Sequence, residues 1–149
     1  IARTHLALIE HARARAETPL IFVDTDLHIT ELFHEIYLKS PMQISSHMLT
    51  RARTDMKFVL YPTVEWVDDG TRVMSSETSR HLFTGRLEIL LQQNKETYTS
   101  ISSSDYDTRF KQVAAKVETL IGGTKFKEYL LPDRLHRQRR TKSPRSPKK

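Results

Sequence analysis

Residues 57–72 read KFVLYPTVEWVDDGTR, and the change of character at Pro62 decides the fold. The first five residues are a short apolar run, the pattern of a strand buried on both faces of a parallel sheet. Proline ends it, and the residues after it gather the only Trp of the chain, two consecutive Asp, a Gly and an Arg. A core does not need that mixture, and a plain turn does not need the indole. An aromatic face, carboxylates and a guanidinium at the end of a strand point to recognition of a ligand.

Working outward, the same alternation recurs. Residues 1–16 are helical by the spacing of Leu6, Ile9, Ala12 and Ala16, and Pro19 closes them. LIFVD (residues 20–24) is a second buried-strand run. TELFHEIYLK (30–39) resumes helical spacing, with Thr30 expected as its cap and Leu32, Phe33, Ile36 and Tyr37 facing inward. A short helix is expected over 44–52. Residues 77–93 form the longest helix, capped at Ser75 or Ser76, with Leu82, Phe83, Leu87, Leu90 and Leu91 on one side. TYTSIS (97–102) alternates as a third strand, and 109–121 form a last helix, through Phe110, Val113, Val117, Leu120 and Ile121, closed by Gly122 and Gly123. Strands alternating with helices imply an α/β fold, a mainly parallel sheet with helices on both faces.

In such sheets ligands sit beyond the carboxyl ends of the strands. The segments leaving those ends are DTDLH, PTVEWVDDGTR and SSSDYDTRF, and all three carry acids. Asp24 and Asp26, two apart at a strand end, suit the magnesium or proton-accepting place of phosphoryl transfer, while Asp26 equally suits a helix N-cap. Trp66 offers a stacking face worth about 1 kcal/mol to a cationic ring; the alternative is a core indole. Asp68 and Asp69 complement a positive ligand or bond sugar hydroxyls, and Gly70 permits close approach. Arg72 and Arg80 have the forked donors that grip phosphate, although Arg80 alone also reads as a solvated helix residue. Tyr106 can form a second aromatic wall and Arg109 can lie over a nucleotide base; alternatively, Asp105 caps the last helix and Arg109 is its exposed first turn.

Composition narrows the classes. The chain has 149 residues, enough for one domain with a core, and no Cys, which removes disulfides, thiolate catalysis and Cys-based zinc sites and fits a cytoplasmic protein. No apolar run approaches the roughly 18 residues of a membrane span, and the first residues are too polar for a signal peptide. HEIYL lacks the second His of a zinc-protease motif, and no G-x-S-x-G is present. Residues 132–149 hold eight of the 24 Lys and Arg and one of the 18 acids, leaving 16 basic against 17 acidic residues in the rest. The basic charge belongs to a tail, not to the body.

IFVDTD, EWVDDGTR and SDYDTRF, in that order and spacing, resemble the NadR-type ribosylnicotinamide kinase domain, a P-loop (AAA-like) kinase family, over residues 4–121. The resemblance implies a three-layer P-loop kinase sandwich over residues 1–123, using ATP and Mg2+ to phosphorylate the ribose 5′-hydroxyl of a nicotinamide riboside-like nucleoside. It implies Asp24 and Asp26 at the phosphoryl acceptor, with Asp24 at the metal. Trp66 and Tyr106 would sandwich the pyridinium, Asp69 would serve the ribose surroundings, Arg72 and Arg80 would form a lid, and Arg109 would touch the nucleotide. One departure is plain: the sequence contains no GxxxxGK[ST], the turn whose amides cradle phosphates. In the family that loop follows a first strand, so the resemblance implies an N-terminally truncated domain without its first strand and P-loop. The family also joins this kinase to a nucleotidyltransferase domain; no trace of it is found within these 149 residues, which leaves bifunctionality undetermined. A different class, a degenerate P-loop binding protein without catalysis, stands beside the kinase.

Residues 124–149 are expected to be a disordered basic tail, because almost nothing apolar follows Leu135 to offset the entropy of ordering. Its charge suits weak, salt-dependent contact with nucleic acid or another polyanion; a solvated terminus without a role is the alternative.

Overall fold

A computed structural model of the chain describes residues 1–68 and 74–122. Contacts divide the chain into one unit of Ile1–Val113 and a second of Ala114–Lys149. The elements are α1 (Ala2–Ala14), α2 (Leu27–Leu38), α3 (Ser46–Ala52), β1 (Phe58–Leu60), α4 (Glu77–Gln93), β2 (Thr99–Ile101) and α5 (Tyr106–Leu120). The unit boundary falls within α5. The chain is α/β: β1 and β2 pair in parallel, with Phe58 opposite Thr99, Val59 opposite Ser100 and Leu60 opposite Ile101.

Helix starts follow cap chemistry. Asp26, in extended backbone, accepts from the amides of His28 and Ile29 and starts α2. The start therefore lies three residues before the expected helix, and Thr30, expected as cap, is inside it with its hydroxyl donating to Asp26 O at 3.3 Å. The carboxylate wins because it meets two free amides where a hydroxyl meets one. Ser45 and Ser76 cap α3 and α4, and the Asp105 carboxylate accepts from Thr108 N at 2.7 Å at the start of α5. Gly122, at φ 73°, lies two residues beyond α5 in a conformation that favours glycine.

Among the described residues, two small cores hold the first unit. Leu6 and Ile9 of α1 meet Leu27, Ile44 and Ala52 in one, while Leu32 of α2 meets Val59, Leu87 and Leu91 in the other. α2 thus sends one end into each core. Arg13 of α1 donates to the carbonyls of Arg51 and Arg53 at the end of α3, and Glu10 accepts both Nε and Nη2 of Arg51 at 2.7 Å. These bonds satisfy carbonyls that the end of a helix leaves open.

The run at residues 20–24, expected as a strand, is not one. Val23 packs on the first core, but Ile21 and Phe22 are exposed, and a bend follows at Asp24 and Thr25. Extended backbone becomes a strand only by pairing, and the ladder of this sheet joins β1 to β2. Leu82 is also turned out, 65% exposed, because the buried seam of α4 runs through Thr84, Leu87 and Leu91. Thr84 is tolerated there since its hydroxyl donates to Arg80 O at 3.0 Å. Tyr37, Phe110 and Leu120, expected inward, are likewise substantially exposed.

Candidate functional site

The parallel pair fixes which loops are neighbours. β1 and β2 end side by side, so the chain leaving Leu60 toward Trp66 starts beside the chain leaving Ile101 toward Tyr106. The Tyr61 amide adds one more ladder bond to Ile101 O at 2.9 Å. Beyond it the loops are tied by side chains: Thr63 Oγ1 lies 2.7 Å from Ser102 O and 3.1 Å from Ser103 O. Arg109 reaches the same place. Its Nε donates to Ser103 O at 2.5 Å, and its Nη2 donates to Tyr61 O at 2.5 Å and to Thr63 Oγ1 at 2.7 Å.

Trp66 is half-buried on the first loop, and the Arg80 guanidinium stands 6.0 Å from its ring centroid. That is the outer range of a cation–π contact. Arg80 also donates to Ser75 O at 2.5 Å and Met74 O at 3.3 Å, so it braces the chain that enters α4. Tyr106, the first residue of α5, is 66% exposed. Asp69 and Arg72 lie outside the described residues.

The two acids of the first loop differ. Asp24 is exposed at the bend, before Thr25, whose φ of 65° is unusual for a β-branched residue. Asp26 is engaged on every side: by its cap amides, by His28 Nδ1 at 3.0 Å and by Lys57 Nζ at 3.2 Å. Burial works to raise its proton affinity, but the His28 bond, the His28 ring, the Lys57 ammonium and the Ile29 amide outweigh it. They hold the carboxyl well below the usual carboxylate range. Lys57 directly precedes β1 and also meets Glu96 at 3.6 Å, before β2. Asp26 is therefore tied to the amino end of β1, whereas the loops of Trp66 and Tyr106 leave the carboxyl ends. An open polar cleft lined by Arg53, Thr54, Asp55, Glu96 and Thr97 lies at that amino end too.

Sequence reasoning missed three side chains. His28 is buried on Asp26, with Nε2 lacking a hydrogen-bond partner among the described residues; the signal was an imidazole two residues after a cap acid. In the sequence Lys57 reads only as part of the KFVLY strand run, and Thr63 has no role assigned. Another bond near the strand ends is carried by Glu88 of α4, which accepts from the hydroxyls of Tyr61 and Tyr98. The bond to Glu88 pushes the Tyr61 phenol up from its ordinary value. Among the described residues no group of three or more His, Cys, Asp or Glu is placed to hold a metal ion, and no helix is long and apolar enough to cross a membrane.

The AAA domain family matches residues 1–109 of this chain. The trifunctional NAD biosynthesis/regulator protein NadR of Escherichia coli (strain K12) is 27% identical over 122 residues, covering 82% of this chain and 30% of that protein. The protein of the same name from Salmonella typhimurium (strain LT2) matches at 27% identity over 122 residues, with the same shares. The chain thus spans under a third of the length of these relatives.

Proposed function

The chain belongs to the AAA domain family, and from that premise we propose that it carries the nucleoside-recognising part of a kinase of NAD metabolism. Its substrate is a nicotinamide riboside-like nucleoside, phosphorylated on the ribose 5′-hydroxyl, and the fold that goes with this reading is the three-layer P-loop sandwich. The observation that carries the proposal is Trp66, with a guanidinium at its ring, on a loop whose neighbour leads to the exposed Tyr106. The similarity to proteins named for NAD biosynthesis supports it.

Each residue then has a task. The pyridinium stacks on Trp66, with Tyr106 as the facing ring and Asp69 on the ribose side. Like charges repel, so a cationic ring on the face that Arg80 approaches displaces that guanidinium, which is freed to meet phosphate together with Arg72. Of the two acids, Asp24 is the exposed one and can face the ribose 5′-hydroxyl, whereas the Asp26 carboxylate is already satisfied by amides, imidazole and ammonium.

The residues present do not fit the triphosphate of ATP. Gly85 is inside α4, Gly122 lies just beyond α5, and the sequence contains no glycine-rich turn followed by Lys and Ser or Thr. No transfer step is therefore assigned to these residues. A second reading of the same loops is a binding protein of this family without phosphoryl transfer.

Titration calorimetry with nicotinamide riboside tests the proposal. Binding is expected, with quenching of the fluorescence of Trp66, the one Trp of the chain. Trp66→Ala is expected to weaken binding about fivefold, from the loss of a stacked cation contact of about 1 kcal/mol. Absence of heat and of quenching in the native chain overturns the reading; binding without turnover in a longer polypeptide that includes a phosphate-cradling loop selects the second one.

A further inference from the structure

Arg109 is 8% exposed, and a buried guanidinium normally meets a carboxylate. Among the described residues, the oxygens it meets are the carbonyls of Tyr61 and Ser103 and the hydroxyl of Thr63. The two carbonyls lie just past the ends of β1 and β2, where the sheet ladder no longer serves them. Thr63 Oγ1 accepts from Arg109, which turns its single proton toward Ser102 O or Ser103 O. One planar, five-donor group thereby fixes the separation of two loops that are 48 residues apart at Tyr61 and Arg109. Trp66 follows Thr63 by three residues on one loop, and Tyr106 precedes Arg109 by one helical turn on the other.

We propose that Arg109, acting through Thr63, is a positioning residue that sets the spacing between the Trp66 loop and the Tyr106 end of α5. In the proposed nucleoside site, on which this inference rests, that spacing is the gap between the two aromatic walls. A ring slips between two faces only at one separation, so loosening the tie weakens binding without removing any group that touches the nucleoside. Lysine cannot replace this arginine, because an ammonium is a point donor and cannot span both carbonyls in one plane.

The test uses the full chain with Thr63→Val, Thr63→Ser, Arg109→Lys and Arg109→Met. It reads Trp66 emission and acrylamide quenching without ligand, then nicotinamide riboside titration, with circular dichroism melting as the measure of folding. Thr63→Val and Arg109→Met are expected to shift Trp66 emission to the red and open it to quencher in folded protein. Thr63→Ser keeps the native signal, and Arg109→Lys does not restore it. The effects of Thr63→Val and Arg109→Met do not add, since both cut one tie. Nucleoside affinity falls on the order of tenfold in the variants that move Trp66. A merely structural Arg109 lowers the melting temperature and leaves the Trp66 signal of folded variants in place, and that result overturns the inference. If Arg109→Met does not fold, Thr63→Val at an exposed position decides alone. If the native chain does not bind the nucleoside, the functional reading fails, while the ligand-free Trp66 signal still decides the role of Arg109.

Discussion

Asp24 and Asp26 show how two identical residues two places apart take different roles. Asp26→Ala removes a cap and the nearer of the two carboxylates that face the Lys57 ammonium, so a loss of about 1–2 kcal/mol of stability is expected. Asp24→Asn, at an exposed bend, is expected to change stability by less than about 0.5 kcal/mol. The folded state holds the Asp26 carboxyl below its unfolded proton affinity, so its contribution is complete above the ordinary carboxylate range. That contribution is lost as pH falls through about 4 and below. Urea unfolding at pH 7 and pH 3 checks this: the native chain should lose more stability on acidification than Asp26→Ala does, and equal losses contradict the assignment. That an acid stood at the start of α2 was legible in the sequence. That His28 and Lys57 would saturate it was not, because Lys57 is 31 residues away and only packing brings it there.

At the scale of the element, periodicity located the helices and misjudged their faces. α4 was legible to its ends, 77 and 93, yet Leu82 points to solvent and Thr84 into the core. Leu87→Ala is therefore expected to cost about 2–4 kcal/mol and Leu82→Ala under about 1 kcal/mol, in chemical unfolding. Gly85, inside the same helix, has nothing within 4 Å of where a Cβ would stand. Gly85→Ala should raise stability by about 0.5–1 kcal/mol, read as a higher melting temperature; a decrease would mean the space is filled in solution. The strands were less legible. Residues 57–61 and 97–102 give three-residue strands, and residues 20–24 give none, although 20–24 and 57–61 read alike as short apolar runs. A strand is a relation between two segments, and an apolar run names only one of them.

For the whole molecule, the charge distribution separates the body from the basic segment of residues 132–149, which lies outside the described residues. Deletion of residues 135–149 is expected to leave nicotinamide riboside affinity unchanged within about twofold while abolishing salt-dependent retention on a polyanion; calorimetry and heparin chromatography check the two halves of that expectation. The residue order by itself determined where the helices lie, two of the three expected strands, the family, and the presence of aromatic and charged groups in loops that leave strands. These depend on local periodicity, cap chemistry and residue type, which need no distant partner. Only the tertiary structure decided that Asp26 is spent on Lys57 at one end of β1, that Arg109 is buried between two loops at the other, and that Ile21 and Phe22 lie open. Burial and hydrogen-bond satisfaction are properties of groups brought together across tens of residues, and no single stretch of chain contains them.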